Sequence, residues 1–218
     1  MIRFNKESHE FWWSLYDTHT LSAEKVLEVT EIAVPSVTQI LKTVGLISSY
    51  PIPSQYAERG TEIHELTELV DQGKFLPEFA SDEVYPYISS YEQFLDEHEV
   101  NILGSESMVF SELHFYAGIY DRLCELDGDL VLVDIKTGGK ERWHRVQLGM
   151  YLEGLKDSRD VSKIKTADLY LTPDSYKLVY TENDLDIKSL LDVYWFGRPQ
   201  PLKQYRKLSG IGVHFGQK

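Results

Sequence analysis

Residues 118–136 read Gly-Ile-Tyr-Asp-Arg-Leu-Cys-Glu-Leu-Asp-Gly-Asp-Leu-Val-Leu-Val-Asp-Ile-Lys. Asp127-Gly128 sits between two apolar-rich runs. A dipeptide of this kind is the strongest short hairpin signal, because both central residues of a type I′ turn need positive φ. A two-residue loop there pairs residues whose numbers add to 255. Asp121 then faces Asp134, with Cβ atoms roughly 4.5–5.5 Å apart. The two-residue strand period puts Lys136 on the same face as Asp134.

That face otherwise carries Ile119, Leu123, Leu130 and Leu132, and the other face carries Val131, Val133 and Ile135. A strand apolar on both sides is covered on both sides. Two carboxylates facing each other in such a place repel, and unpaired buried charge is costly. A divalent cation between them resolves the conflict; oxygen ligands without a cysteine cluster favour Mg²⁺ or Mn²⁺. The competing arrangement is a plain Asp121–Lys136 ion pair at a strand end. Alternation turns Cys124 away from Asp121, into core.

The rest of the chain reads as a mixed α/β (α+β) protein, a central mixed sheet flanked by helices. Short strands are expected before residue 34, over Phe11–Tyr16 and Val26–Val34. Pro35-Ser36 starts a helix that Gly45 closes. Further helices are expected over Ser54–Asp71, ended by Gly73, and over Ser81–Glu97. Strands follow over Asn101–Phe110, Leu113–Leu126 and Leu130–Lys136. Then come a helix over Trp143–Leu155 and a hairpin pairing Ala167–Leu171 with Tyr176–Tyr180. The expected organisation is a single domain over 1–218, with N-terminal strands to 34, a core from 34 to 180 and a C-terminal extension from 181.

Gly118-x-x-Asp121, Asp134-Ile-Lys136-Thr-Gly and Gln147-x-x-x-Tyr151, in that order, resemble the PD-(D/E)xK nucleases. The closest likeness is to their RecB-type and phage exonuclease branch. Val34-Pro-Ser-Val-Thr-Gln-Ile-Leu and Arg59-Gly-Thr-Glu-Ile-His64 resemble the N-terminal region of that branch. The resemblance spans about residues 34 to 180 and implies a restriction-endonuclease-like core. It implies Asp121, Asp134 and Lys136 as catalytic residues. One or two Mg²⁺ or Mn²⁺ ions would be held by His64, Asp121, Asp134 and the backbone carbonyl of Ile135. Gln147, Tyr151 and Arg59 would face DNA, and Glu106 resembles an accessory strand glutamate.

The implied activity is metal-dependent hydrolysis of DNA phosphodiesters, as an exonuclease in phage DNA metabolism or in recombination and repair, alongside a recombination partner protein. Two other readings stay open: a nuclease-fold protein that binds DNA ends or a partner without cutting, and a metal-dependent hydrolase of another substrate.

Two of these motifs also have plainer readings. Gln147 and Tyr151 share a helix face and would suit any amphipathic helix. His64 would suit a helix surface or a satisfied core position. A zinc-protease helix is excluded at His64-Glu65, since Glu68 stands where the second histidine is needed.

The formal charge of −13 sits awkwardly with a DNA partner, because phosphates select for Lys and Arg. Residues 193–218 hold five basic residues (Arg198, Lys203, Arg206, Lys207 and Lys218) and no acidic one, so the first 192 carry −18. The aromatics Tyr194, Trp195, Phe196, Tyr205 and Phe215 could stack on single-stranded DNA or pack onto the protein. A single cysteine excludes an internal disulfide and an iron–sulfur cluster held by four cysteines of one chain. No apolar run reaches the ~18–20 residues of a membrane span, and the N-terminus lacks a secretory apolar stretch. A cytoplasmic protein with no membrane partner is expected.

Overall fold

The computed structural model describes residues 2–6, 8–14, 31–48, 53–182, 185–196 and 198. Three short strands, β1 (Ile2–Asn5), β2 (Glu10–Ser14) and β3 (Glu31–Val34), form an antiparallel sheet in that order. The expected strands over Phe11–Tyr16 and Val26–Val34 therefore exist in shorter form; residues 15–30 lie outside the described ones. Helix α1 (Val37–Thr43) starts where Ser36 and Gln39 cap each other reciprocally. It closes just before Gly45, whose φ is +78°.

Helix α2 (Ser54–Asp71) ends ahead of Gly73, at φ +64°. Helix α3 (Tyr85–Glu97) begins four residues later than Ser81. Pro86 explains the shift: it lacks an N–H and fits only the first turn. A short 3-10 turn at Pro77–Phe79 precedes it.

The main sheet contains β4 (Val100–Ser111), β5 (Tyr116–Leu126), β6 (Asp129–Lys136), β7 (Lys165–Leu171) and β8 (Tyr176–Thr181), side by side in chain order. All neighbours are antiparallel except β6 and β7, which helix α4 (Arg142–Leu155) joins as a parallel crossover. The expected start of β5 at Leu113 is corrected to Tyr116. Leu113 is 77% exposed and Phe115 takes a φ of 56°, so a turn occupies that stretch. Asp127 and Gly128, at φ 50° and 84°, make the two-residue turn.

Both faces of the sheet are covered. Leu123 and Leu132 pack with α1, α4 and the added helix α5 (Ile187–Trp195). Cys124, Val131, Val133 and Ile135 pack with α2 and α3. Each fully buried aliphatic side chain contributes about 1.5–3 kcal/mol on either face; a one-residue slip of β6 would carry Asp134 and Lys136 to the other face, away from Asp121. Helix α5 was not expected. Its signal is short: Asp186 caps Ser189, then Ile187, Leu190, Leu191 and Tyr194 follow helical spacing. Among the described residues, no helix is long and apolar enough to cross a membrane.

Candidate metal and active site

The strand registers build one acidic row across the sheet. Ser105–Arg122 and Ser107–Tyr120 pairs bracket Glu106 and Asp121. Between β5 and β6 the pairs keep the sum of 255 and end at Arg122–Val133, one short of Asp121 and Asp134. Asp134 in turn pairs with Asp168 on β7. The row therefore reads Glu106, Asp121, Asp134, Asp168. The ladder stops at Asp121 because its Oδ2 accepts the Ile135 N–H at 2.6 Å, in place of the backbone of β5. The Asp127-Gly128 register is correct, yet the two aspartates do not form a regular backbone pair.

Helix α2 crosses the end of this row. Gly60 stands where an added Cβ would come to 3.7 Å from Thr137 Oγ1, and His64 follows one turn later. His64 Nδ1 lies 3.5 Å from Asp121 Oδ2 and 3.8 Å from Glu106 Oε1. One donor atom from each of the three lies within 4.8 Å of the others. Glu106 reaches in from a backbone φ of 42°, beside a bulge between Ile102 and Gly104. A left-handed non-glycine residue costs roughly 1–2 kcal/mol, and such strain gathers at functional sites.

Arg122 holds this arrangement from behind. It is 2% exposed and its Nε pairs with Asp71 at the end of α2. Its Nη1 donates to Glu106 Oε1 at 3.2 Å and to the Asp121 carbonyl at 2.8 Å, and its Nη2 donates to Thr67 Oγ1 at 3.2 Å. Tyr91 donates to the other Asp71 oxygen at 2.6 Å. One guanidinium thus ties α2, β4 and β5 together, using the planar fork that a lysine lacks.

Lys136 pairs with Asp134, not with Asp121. Its Nζ also donates to Gln147 Oε1 at 2.7 Å and lies 5.1 Å from the Trp143 ring centroid. Gln147 Nε2 donates to the Tyr151 hydroxyl at 2.8 Å. The four-residue spacing of Gln147 and Tyr151 therefore makes a buried relay ending on Lys136. Tyr151 in turn packs over Gly118, where any Cβ would sit 2.6 Å from its ring.

The charges are mutually tuned. Burial works against an imidazolium at His64, but Asp121 first and then Glu106 outweigh it and raise its pKa to about 10. Burial likewise opposes ionisation of Asp121, yet His64, Lys136 and the Ile135 N–H hold its carboxyl below the ordinary range. Asp134 goes the other way: burial and the Asp121 charge, against Lys136, push it up to about 7. Burial disfavours the Lys136 ammonium, but Asp134 and Asp121 keep its pKa above the usual value.

The donor set fits a hard divalent cation. His64, Glu106 and Asp121 offer one imidazole nitrogen and carboxylate oxygens, and the site carries excess negative charge. Asp134 Oδ2 is buried and accepts no hydrogen bond of good geometry, although Lys136 stands beside it. Lys136 is the cation beside it, and a metal ion would be a second one. Asp134 lies outside the three-residue cluster, while Glu106, expected only as an accessory, lies within it.

A model of the PD-(D/E)XK nuclease superfamily matches residues 51–188. The chain belongs to that superfamily. A search of curated proteins found no match. The PD-(D/E)XK region runs from just before α2 into α5, so β1–β3 and α1 lie ahead of it. PD-(D/E)XK nucleases use divalent metal ions, in keeping with the acidic cluster.

The other expected residues sit as follows. Arg59 is held at the start of α3, 3.0 Å from Glu83 and near the Tyr56 and Tyr87 rings. Trp195 packs on the protein, donating to the His114 carbonyl at 3.0 Å, while Phe196 is 87% exposed. Arg198 stacks on Tyr194. Tyr205, Phe215, Lys203, Arg206, Lys207 and Lys218 lie outside the described residues. Sequence reasoning missed Arg122, Asp71 and Asp168. Asp168 is buried with Oδ1 unpartnered, and burial raises its pKa. Its place opposite Asp134 depends on the parallel register set by the α4 crossover, which no local pattern reveals.

Proposed function

We propose that the protein is a Mg²⁺- or Mn²⁺-dependent deoxyribonuclease, an exonuclease of the RecB-type branch, acting in phage or bacterial DNA recombination and repair. The observation that carries the reading is the cluster of His64, Glu106 and Asp121 beside the Asp134–Lys136 pair. In this reading His64, Glu106 and Asp121 hold the cation, with Asp134 and the Ile135 carbonyl as further ligands. A bound divalent cation supplies charge that acidifies water and offsets the negative phosphate oxygens.

The chain's own groups do the rest. Asp121 stays ionised and keeps its Oδ2 aimed by the Ile135 N–H. Lys136 keeps its proton and presents a cation to the charge that grows on the phosphate oxygens. Gln147 and Tyr151 fix the Lys136 ammonium in place; their contribution to DNA handling is through that group and through the wall Tyr151 forms. Arg59 and the basic tail after Val193 supply the remaining attraction for DNA.

Incubation with end-labelled linear DNA and with covalently closed circular DNA, in Mg²⁺, Mn²⁺ or EDTA, tests the reading. Release of short products from linear DNA only, abolished by EDTA, is the expected result. Cutting of the circle would replace the exonuclease assignment by an endonuclease one. No cleavage of either DNA would overturn the function.

A further inference from the structure

We propose that the cleft between the N-terminal sheet, α1 and the start of β5 seats one unpaired nucleotide of the DNA strand adjoining the scissile phosphodiester. The proposal rests on the nuclease reading above and adds a substrate subsite to it. The cleft has a volume of about 440 Å³. Clefts of roughly 300–1,000 Å³ hold small organic ligands, so this one has room for a nucleotide and not for a duplex.

Three features make it a nucleotide seat. First, it adjoins the site through two of its lining residues. Ile119 lines it, and Asp121 is the next residue on the same face of the strand, one repeat of roughly 7 Å away. Its wall also includes Tyr151, the end of the relay to Lys136. Second, its charge is out of keeping with the chain. The protein carries −13, yet no acidic residue lines this cleft. Lys42 is exposed there and makes no ion pair among the described residues. The cleft beside the start of α4 sets Lys140, Arg142 and Arg145 against Glu141, Asp168 and Glu182, and the one beside the β5–β6 turn contains Glu99 and Glu125 with no basic residue. Third, the half-buried Phe4 ring and the exposed His9 ring stand edge to face, with centroids 6.2 Å apart. Together they offer a base a stacking surface that tolerates any sequence.

Phe4, His9 and Lys42 precede the part of the chain that matches the superfamily model. The N-terminal sheet and α1 therefore form, ahead of the matched region, a wall that meets the strand beside the candidate metal cluster.

The test is the affinity of a short fluorescein-labelled single-stranded DNA, titrated with KCl in the presence of Ca²⁺ to block cleavage. Wild type is compared with Lys42→Ala, Thr38→Glu and the control Lys74→Ala. Thr38 is exposed in the cleft at the start of α1, where an added carboxylate suits the helix and leaves it folded. Lys42→Ala is expected to weaken binding several-fold and to lower the log–log salt slope by about 0.7, one single-strand phosphate contact. Thr38→Glu is expected to weaken binding, and Lys74→Ala to leave the slope unchanged. A blunt duplex is expected to show no dependence on Lys42.

Unchanged affinity and slope in both cleft variants of a protein that cuts DNA would overturn the subsite and leave the nuclease reading intact. Equal loss on the duplex would overturn the unpaired nucleotide. Lys42-dependent binding without any cleavage would uphold the subsite and overturn the nuclease. A protein that neither binds nor cuts would overturn both.

Discussion

Arg122 and Glu106 are joined by an Nη1–Oε1 hydrogen bond of 3.2 Å, and the same guanidinium pairs with Asp71. Glu106, a member of the candidate metal cluster, is therefore fixed by a cation buried on the other side of the sheet. Removing one partner of a buried charge pair costs about 3–5 kcal/mol. Arg122→Met is expected to destabilise the protein by that order, read by urea denaturation. Arg122→Lys keeps the charge without the fork, so it should fold and yet bind Mn²⁺ more weakly. Wild-type Mn²⁺ affinity in a folded Arg122→Lys would remove its role in positioning Glu106.

Lys136 and Asp134 should separate in their effects. Lys136→Ala is expected to lower cleavage by ~10²-fold or more, the scale of losing a transition-state charge partner, and to bind Mn²⁺ nearly as well as wild type. Asp134→Ala is expected to lose both cleavage and Mn²⁺ affinity. Gln147→Ala removes the acceptor at 2.7 Å from Lys136 Nζ and should lower kcat more than it raises KM. Kinetics and Mn²⁺ titration on the same preparations decide these; equal loss of Mn²⁺ affinity in Lys136→Ala and Asp134→Ala would contradict the division of roles.

Metal affinity should rise with pH. In the metal-free protein the carboxylates around His64 keep it protonated up to about 10, and a metal must displace that proton. Mn²⁺ affinity is therefore expected to climb by up to about tenfold per pH unit between pH 6 and 8, and His64→Gln should flatten the climb. For folding the sign is opposite. The raised pKa means that His64 stabilises the metal-free fold fully below about pH 6.5, and that this contribution fades as pH rises toward 10.

His144 supplies the acid limb. Burial first, and the Lys136 charge second, lower its pKa to about 4. Its Nδ1 lies 2.9 Å from the Tyr170 hydroxyl. The unfolded chain takes up a proton near pH 6.5 that the native state refuses until about pH 4. This contribution is therefore present above pH 6.5 and lost as pH falls through that window, by about 3 kcal/mol at most. Urea titrations of wild type and His144→Gln at pH 4.5 and 7 should show a smaller pH dependence in the variant.

The sequence made the hairpin legible because Asp127-Gly128 is local turn chemistry, and its register led directly to Asp121 and Asp134. Helices α1, α2 and α4 were legible from caps, glycine stops and apolar spacing. What stayed hidden depends on contacts between distant segments. Glu106 joins His64 and Asp121 through a positive φ that no residue pattern announces. Arg122 carries no local sign of its partners, Asp71 and Thr67, which only the packing of α2 brings to it. Asp168 enters the acidic row only through a parallel pairing. The Gln147–Lys136 contact was hidden as well, since it needs α4 to lie over the end of β6.

His64, Glu106 and Asp121 are expected to hold a divalent cation for DNA hydrolysis. Mn²⁺ titration followed by electron paramagnetic resonance, on wild type and Asp121→Ala, tests it most directly. Saturable Mn²⁺ binding is expected in the wild type, nearly absent in a folded Asp121→Ala, with cleavage of DNA lost in parallel. Equal Mn²⁺ binding in the two proteins would contradict it.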